Sequence, residues 1–163
     1  MENQQNNHLP KTNVGKYILE SISIGMYDHP LMVIREYIQN STDAIDSFFT
    51  GNSENVAQHG QISINVDGKS KSITITDNGT GVKAANVWNV LHDLGTSNKN
   101  PEENRGFRGI GRLGGLGYCD ELRFITKAQG EAVLSTSIWD CKKIRLLISE
   151  KETVRDIHSI IKE

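Results

Sequence analysis

The 163-residue chain reads as an α/β (α+β) two-layer sandwich, a mixed, mostly antiparallel sheet with helices on one face. Three observations predict this. A long amphipathic stretch opens at Pro30 and runs to about Phe49. Two alternating segments, ISINV and SITIT, meet around Asp67-Gly68 as a hairpin. Three more alternating segments, LRFIT, AVLSTSIW and KIRLLIS, follow late in the chain and read as further strands.

In order, residues 1–11 are polar and read as a disordered leader. Val14, Tyr17, Ile18 and Ile22 recur at helical spacing and predict a first helix. The Pro30 helix follows, and GNSENVAQHG after it reads as a polar loop. The second strand of the hairpin stops at Asp77-Asn78-Gly79-Thr80-Gly81. Val87, Val90, Leu91 and Leu94 then mark a short helix with Gly95 as its stop. Residues 95–109 form a polar loop, and GFRGIGRLGGLGYC leads into the late strands. The end, KETVRDIHSIIKE, reads as the start of a helix or a cut end. The expected division is a leader at 1–11, one domain at 12–149 and a tail at 150–163.

Bulk composition narrows the function classes. With 36% hydrophobic and 23% charged residues, the chain resembles an ordinary globular protein and is long enough to bury a core. A formal net charge of -2 gives no electrostatic reason to expect nucleic acid as a direct ligand of the whole surface. No apolar run is long enough to cross a bilayer, and the N-terminus lacks an apolar signal core, so a cytoplasmic protein without membrane contact is expected. Cys119 and Cys141 suit a reducing compartment, and the five histidines show no metal-ligand spacing.

Chemistry concentrates in three places. On the Pro30 helix, Glu36, Asn40, Asp43 and Ser47 fall within about 60° of one another at 100° per residue, with Ile34, Ile38 and Ile45 on roughly the opposite side. A solvated outer face is one reading of such a stripe. It carries no lysine or arginine for i,i+4 ion pairs, and its oxygens are the hard ligands that magnesium accepts. Asp77-Asn78-Gly79-Thr80-Gly81 is either a simple strand-to-helix turn or a place where a ligand approaches the backbone closely. Gly106, Gly109 and Gly111 form G-x-x-G-x-G, extended by Gly114, Gly115 and Gly117. This is neither the dinucleotide fingerprint nor a P-loop, but its backbone N–H groups can face phosphates, with Arg105, Arg108 and Arg112 adjacent. Ile110, Leu113 and Leu116 recur every third residue, which implies an ordered, packed turn rather than a flexible loop.

Together these segments resemble, in order, the three boxes of the GHKL nucleotide-binding domain, the superfamily of gyrase, heat-shock-ninety chaperones, histidine kinases and MutL. REYIQNSTDAID is similar to its E-x-x-x-N-x-x-D-A box, ITDNGTGV to D-x-G-x-G, and GFRGIGRLG to G-x-x-G-x-G. LGTSNK resembles the start of the mobile lid over ATP, and RFITKAQGEAVLSTSIW the strand pair of the heat-shock-ninety branch. The first box is closer to chaperone, MutL and Morc-like members than to histidine kinases.

The resemblance implies a Bergerat fold and a role at each matching position. Glu36 corresponds to the general base that activates water, Asn40 to the magnesium ligand, and Asp43 to an acidic residue lining the nucleotide pocket. Asp77 corresponds to the carboxylate that accepts from the adenine amino group on a pocket floor, and Gly79 and Gly81 to the turn beside the base. Gly106, Gly109 and Gly111 correspond to the phosphate-cradling lid edge; Thr96, Ser97 and Lys99 lie in the lid. The implied cofactors are ATP and magnesium, and the implied activity is ATP hydrolysis that closes the lid and pairs two N-terminal domains. Two departures stand out. The G-T-x-I-x-L strand of the heat-shock-ninety branch has no G-T pair in KKIRLLIS or after it, and no transducer domain follows, so a slow N-terminal fragment of a longer protein is expected. Client protein or DNA would then be reached through downstream domains. The rival readings are a MutL-, Morc- or gyrase-like clamp on DNA, a histidine-kinase catalytic domain and a non-hydrolysing scaffold; Glu36 argues against the last.

Overall fold

A computed structural model of the chain describes residues 29–49, 53–92, 111–149 and 161–162. The helix expected over residues 14–22 and the polar loop expected at 95–109 lie outside the described residues.

Helix α1 spans Pro30–Phe48. Pro30 supplies a preset helical φ at its start, and His29 Nδ1 accepts from the Leu31 amide at 3.3 Å. Phe49 ends it by donating its amide to the Ile45 carbonyl. The buried residues are Val33, Ser41 and Ile45, whereas Ile34 and Ile38 are only half-buried. The packed face is therefore rotated from the one expected. At about 100° per residue, Asn40 lies beside Val33 at the edge of the packed face and half-buried Glu36 a little further round, whereas Asp43 stays on the far side.

The GNSENVAQHG stretch is not all loop: Ser53–His59 form a helix, α2. With only Val56 and Ala57 apolar, it has no periodicity to read. Its last turn closes through the Gly60 amide on the Val56 carbonyl, and the His59 ring sits 6.3 Å from that of Phe49.

Strands β1 (Ile62–Asp67) and β2 (Ser72–Asp77) pair antiparallel, with Ile64 opposite Ile75 and Val66 opposite Ile73. Asp67 shapes the turn by accepting from the Lys69 amide and the Ser70 hydroxyl. The hydroxyl bond, more than the backbone amides, holds its carboxyl below the ordinary aspartate value. Lys71, not Gly68, takes the left-handed conformation, at φ 53°. Asn78 fastens the base of the hairpin: its Oδ1 accepts from the Gln61 amide at 2.8 Å and its Nδ2 donates to the His59 carbonyl at 2.7 Å. Ile62 and Ile75 are half-buried near that base, while Val66 at the far end is 69% exposed.

A 3-10 turn at Ala84–Asn86 runs into α3 (Val87–His92), which buries Val87 and Leu91 as expected but leaves Val90 exposed; Leu94 and Gly95 lie outside the described residues. The second half of the glycine-rich stretch, Gly111–Gly117, is a 3-10 helix with Leu113 and Leu116 fully buried. Strands β3 (Glu121–Thr126) and β4 (Ser135–Asp140) follow, paired antiparallel with Leu122 opposite Trp139. KIRLLIS is not a strand: Cys141–Ser149 form helix α4. Asp140 caps it by accepting from the Lys143 amide at 2.9 Å, and Ile144 is buried while Leu146 is exposed. A two-residue strand, β5 (Ile161–Lys162), joins β4 where the tail reads as helix or cut end.

Among the described residues all strand pairs are antiparallel, giving a mixed α+β fold. Among the described residues the strands form two sheets, β1-β2 and β3-β4-β5. The Val82 amide links them by donating to the Thr126 hydroxyl at 2.8 Å. The densest core joins the 3-10 helix to β4 and α4 through Leu113, Leu116, Trp139, Cys141 and Ile144. Among the described residues, no helix is long and apolar enough to cross a membrane.

Candidate active site

Helix α1 presents the first group of residues. Glu36 is half-buried, and Asn40 and Asp43 are exposed. The side chains of Glu36 and Asn40 make no hydrogen bond or ion pair among the described residues. Asp43 Oδ1 accepts from the Gln39 amide group at 2.9 Å. Glu36 and Asn40 stand one helical turn apart, so both can address one ligand.

The Asp77–Gly81 turn lies against the later half of the same helix. The Thr80 amide donates to the Ala44 carbonyl at 3.1 Å. A Cβ on Gly79 would stand 2.7 Å from that of Ala44, so glycine is required for this approach. Gly81 has φ +61°, and a Cβ there would collide with the Lys127 carbonyl. Beyond it, the Val82 amide is held by Thr126 and the Ala84 amide by Glu131 Oε2 at 3.0 Å. Both glycines thus serve protein packing on their Cβ sides. Asp77 Oδ1 accepts from the Gly79 amide at 2.9 Å, which leaves Oδ2 without a hydrogen bond among the described residues. Asp77 is exposed.

The glycine-rich 3-10 helix reaches the earlier half of α1. Gly111 is buried at its first position. Tyr37, the neighbour of Glu36, donates its hydroxyl to the Arg112 carbonyl at 2.9 Å and accepts from the Gly115 amide at 3.1 Å. Arg112 Nε donates to the Leu91 carbonyl at 3.4 Å, tying that guanidinium to the end of α3. At the other end, Arg145 donates to the Leu116 and Cys119 carbonyls at 2.5 and 2.6 Å. Cys141, beneath this end, has its thiol pushed up to about 12, by burial first and by the neighbouring Cys119 second.

The structure therefore brings Glu36, Asn40 and Asp43 onto one helix and sets Asp77, Gly79, Gly81 and Gly111 against or beside it. Thr96, Ser97, Lys99, Gly106, Gly109, Arg105 and Arg108 lie outside the described residues. Sequence reasoning missed Tyr37, Asn78, Thr126, Glu131 and Arg145, whose roles depend on contacts across the fold. Of these only Asn78, inside a recognised turn motif, offered a local signal.

A family described as histidine kinase-, DNA gyrase B- and HSP90-like ATPase matches residues 27–162. Chaperone protein HtpG of Ruthia magnifica subsp. Calyptogena magnifica is 27% identical over 149 residues, covering 81% of this chain and 24% of that protein. HtpG of Aliarcobacter butzleri is 33% identical over 87 residues, 49% of this chain and 14% of its own length. HtpG of Sulfurovum sp. is 33% identical over 94 residues, 55% of this chain and 14% of its own. The chain thus spans about a quarter or less of the curated relatives it matches. With the match covering most of its length, and with the Asp77–Gly81 turn and the Gly111–Gly117 segment resting on a helix that carries Glu36 and Asn40, the chain belongs to the histidine kinase-, gyrase B- and HSP90-like ATPases.

Proposed function

We propose that residues 12–149 form the ATP-binding unit of a heat-shock-ninety-like chaperone of the cytoplasm, in which magnesium-dependent hydrolysis drives lid closure and pairing of two N-terminal domains. The single observation that carries this reading is the arrangement around α1. One glycine segment rests on Ala44 beside Asp77, and the other on Tyr37 beside Glu36. In this reading the first marks the adenine end and the second the phosphate end of one helix. The relatives named as chaperone protein HtpG favour the chaperone branch over a clamp on DNA.

The residues fit the nucleotide and its metal. Asp77 Oδ2 is available to accept from the adenine amino group. The Asn40 amide oxygen, without a protein partner among the described residues, is a hard ligand of the kind magnesium takes. Bound magnesium supplies positive charge to the phosphate oxygens, the main demand of phosphoryl transfer. Half-buried Glu36, also without a partner there, would orient the attacking water and take its proton on a carboxylate oxygen.

Calorimetry on Asp77→Asn tests the adenine end. Loss of a charged acceptor costs about 1.5–3 kcal/mol, more than tenfold in ATP affinity, and GTP should bind poorly to the unaltered protein. Glu36→Ala should keep nucleotide affinity and abolish hydrolysis, whereas Asn40→Ala should weaken magnesium-dependent binding itself. ATP binding unchanged by Asp77→Asn removes Asp77 from the site, and normal turnover by Asn40→Ala reduces the α1 stripe to a solvated face.

A further inference from the structure

The mechanism above assigns no part to Tyr37, yet its hydroxyl occupies an unusual place. In a 3-10 helix the amide of one residue donates to the carbonyl three positions earlier. Gly115 and Arg112 are such a pair. The Tyr37 hydroxyl bridges these two groups, accepting from the Gly115 amide at 3.1 Å and donating to the Arg112 carbonyl at 2.9 Å. It does so from 78 residues away in sequence, one position after Glu36 and three before Asn40.

Gly115 is shaped for this contact. A Cβ there would stand 2.7 Å from the Tyr37 oxygen and 3.1 Å from Leu122 Cδ1, so any other residue would displace the hydroxyl or the segment. The far side of the helix is fixed independently. Leu113 and Leu116 are fully buried, and Arg145 holds the Leu116 and Cys119 carbonyls. The Arg112–Gly115 turn is thus set against one point on α1, and Gly111, the last glycine of G-x-x-G-x-G, immediately precedes it.

We infer that the Tyr37 hydroxyl is a positioning group that fixes the glycine segment relative to Glu36 and Asn40, so that affinity for the phosphates, and not for adenine, depends on it. This rests on the nucleotide-binding reading proposed above. Phenylalanine at 37 keeps the ring and removes the bridge. The Arg112–Gly115 turn then loses this tie to α1, which lets Gly111 shift relative to the helix, and small displacements at a phosphate site have large consequences.

The test compares adenosine, ADP and ATP by calorimetry with magnesium present, in the protein and in Tyr37→Phe. The expected result is an unchanged adenosine affinity and about a tenfold loss for ADP and ATP, with the thermal melt confirming that the variant is folded. A merely structural tyrosine would weaken all three ligands alike or none, and either result overturns the inference. A second measurement needs no variant. In the ¹⁵N-labelled protein, the amide signals of Arg112 and Gly115 should shift on adding ADP with magnesium and stay in place with adenosine. Equal shifts with both, or none with ADP, also overturn it. Failure of the unaltered protein to bind any of the three ligands would sink the nucleotide-binding reading itself, an outcome distinct from loss of the Tyr37 effect alone.

Discussion

Two glycine-dense stretches close on α1, and they are held in unlike ways. The glycines of the Asp77–Gly81 turn abut backbone, and the amides beyond them are held by side chains. Gly79 lies against Ala44, Gly81 sits over the Lys127 carbonyl, and the next amides are captured by Thr126 and Glu131. The 3-10 helix at Gly111–Gly117 is gripped by side chains: the Tyr37 hydroxyl, the buried leucines and Arg145. Backbone neighbours cannot step aside, whereas a hydroxyl at the end of a tyrosine can. The same glycine-to-alanine change should therefore cost different amounts in the two places.

The largest effect is expected at Gly81. Alanine there meets both a positive φ of 61° and the Lys127 carbonyl, and should destabilise by about 3 kcal/mol or more in urea unfolding. Gly79→Ala, pressed against the backbone of Ala44, should follow closely. A melt unchanged by either variant would break the distinction outright. Gly115→Ala should cost less, about 1–3 kcal/mol, because tyrosine can retreat. Combined with Tyr37→Phe it should cost less again, as the oxygen it strikes is gone; additive losses in that pair would mean that the Tyr37 hydroxyl is not what Gly115 avoids.

Alkaline pH should separate the two stretches by a smaller margin. Only the 3-10 helix rests on a buried thiol whose folded value, about 12, exceeds its ordinary 9.0. The folded state then holds a proton that the unfolded state releases. This contribution is complete below pH 9 and is lost as pH rises toward 12. Cys119, raised chiefly by its own burial, acts in the same direction. Amide exchange at Gly115 should accelerate in that window before exchange at Thr80 does, and Cys141→Ala should flatten the dependence; simultaneous loosening would show that the two stretches share one unit of stability. The smallest effects come from glycines in open space. Gly130→Ala, at φ +79° with no atom near, should cost about 1 kcal/mol, and Gly68→Ala, unstrained and open, should stay within about 0.5 kcal/mol.

What was legible in the sequence divides along the same line. Local signals were readable: Pro30 opening α1, the Ile-rich hairpin around Asp67, and the carboxylates and glycines at box spacing. KIRLLIS misled because a short apolar run fits a strand or a helix equally by period. The deciding residue was Asp140, a cap just outside the run. The orientation of α1 was misjudged because its packed face holds Ser41 and Tyr37, which hydropathy counts as outward. Tyr37 itself gave no signal, since its partner lies in a turn that only the folded chain brings near.

The Asn78 amide that fastens the hairpin has a chemical consequence as well. Asn-Gly is the sequence most prone to deamidation, in which the following glycine nitrogen attacks the asparagine side chain. Here both reactants are occupied. Nδ2 and Oδ1 of Asn78 are held by His59 and Gln61, and the Gly79 amide is committed to Asp77. The folded protein thereby keeps this ageing reaction switched off at the turn beside Asp77. A population that has spent time unfolded should carry aspartate or isoaspartate at position 78, and those molecules would return with the base of the hairpin unfastened.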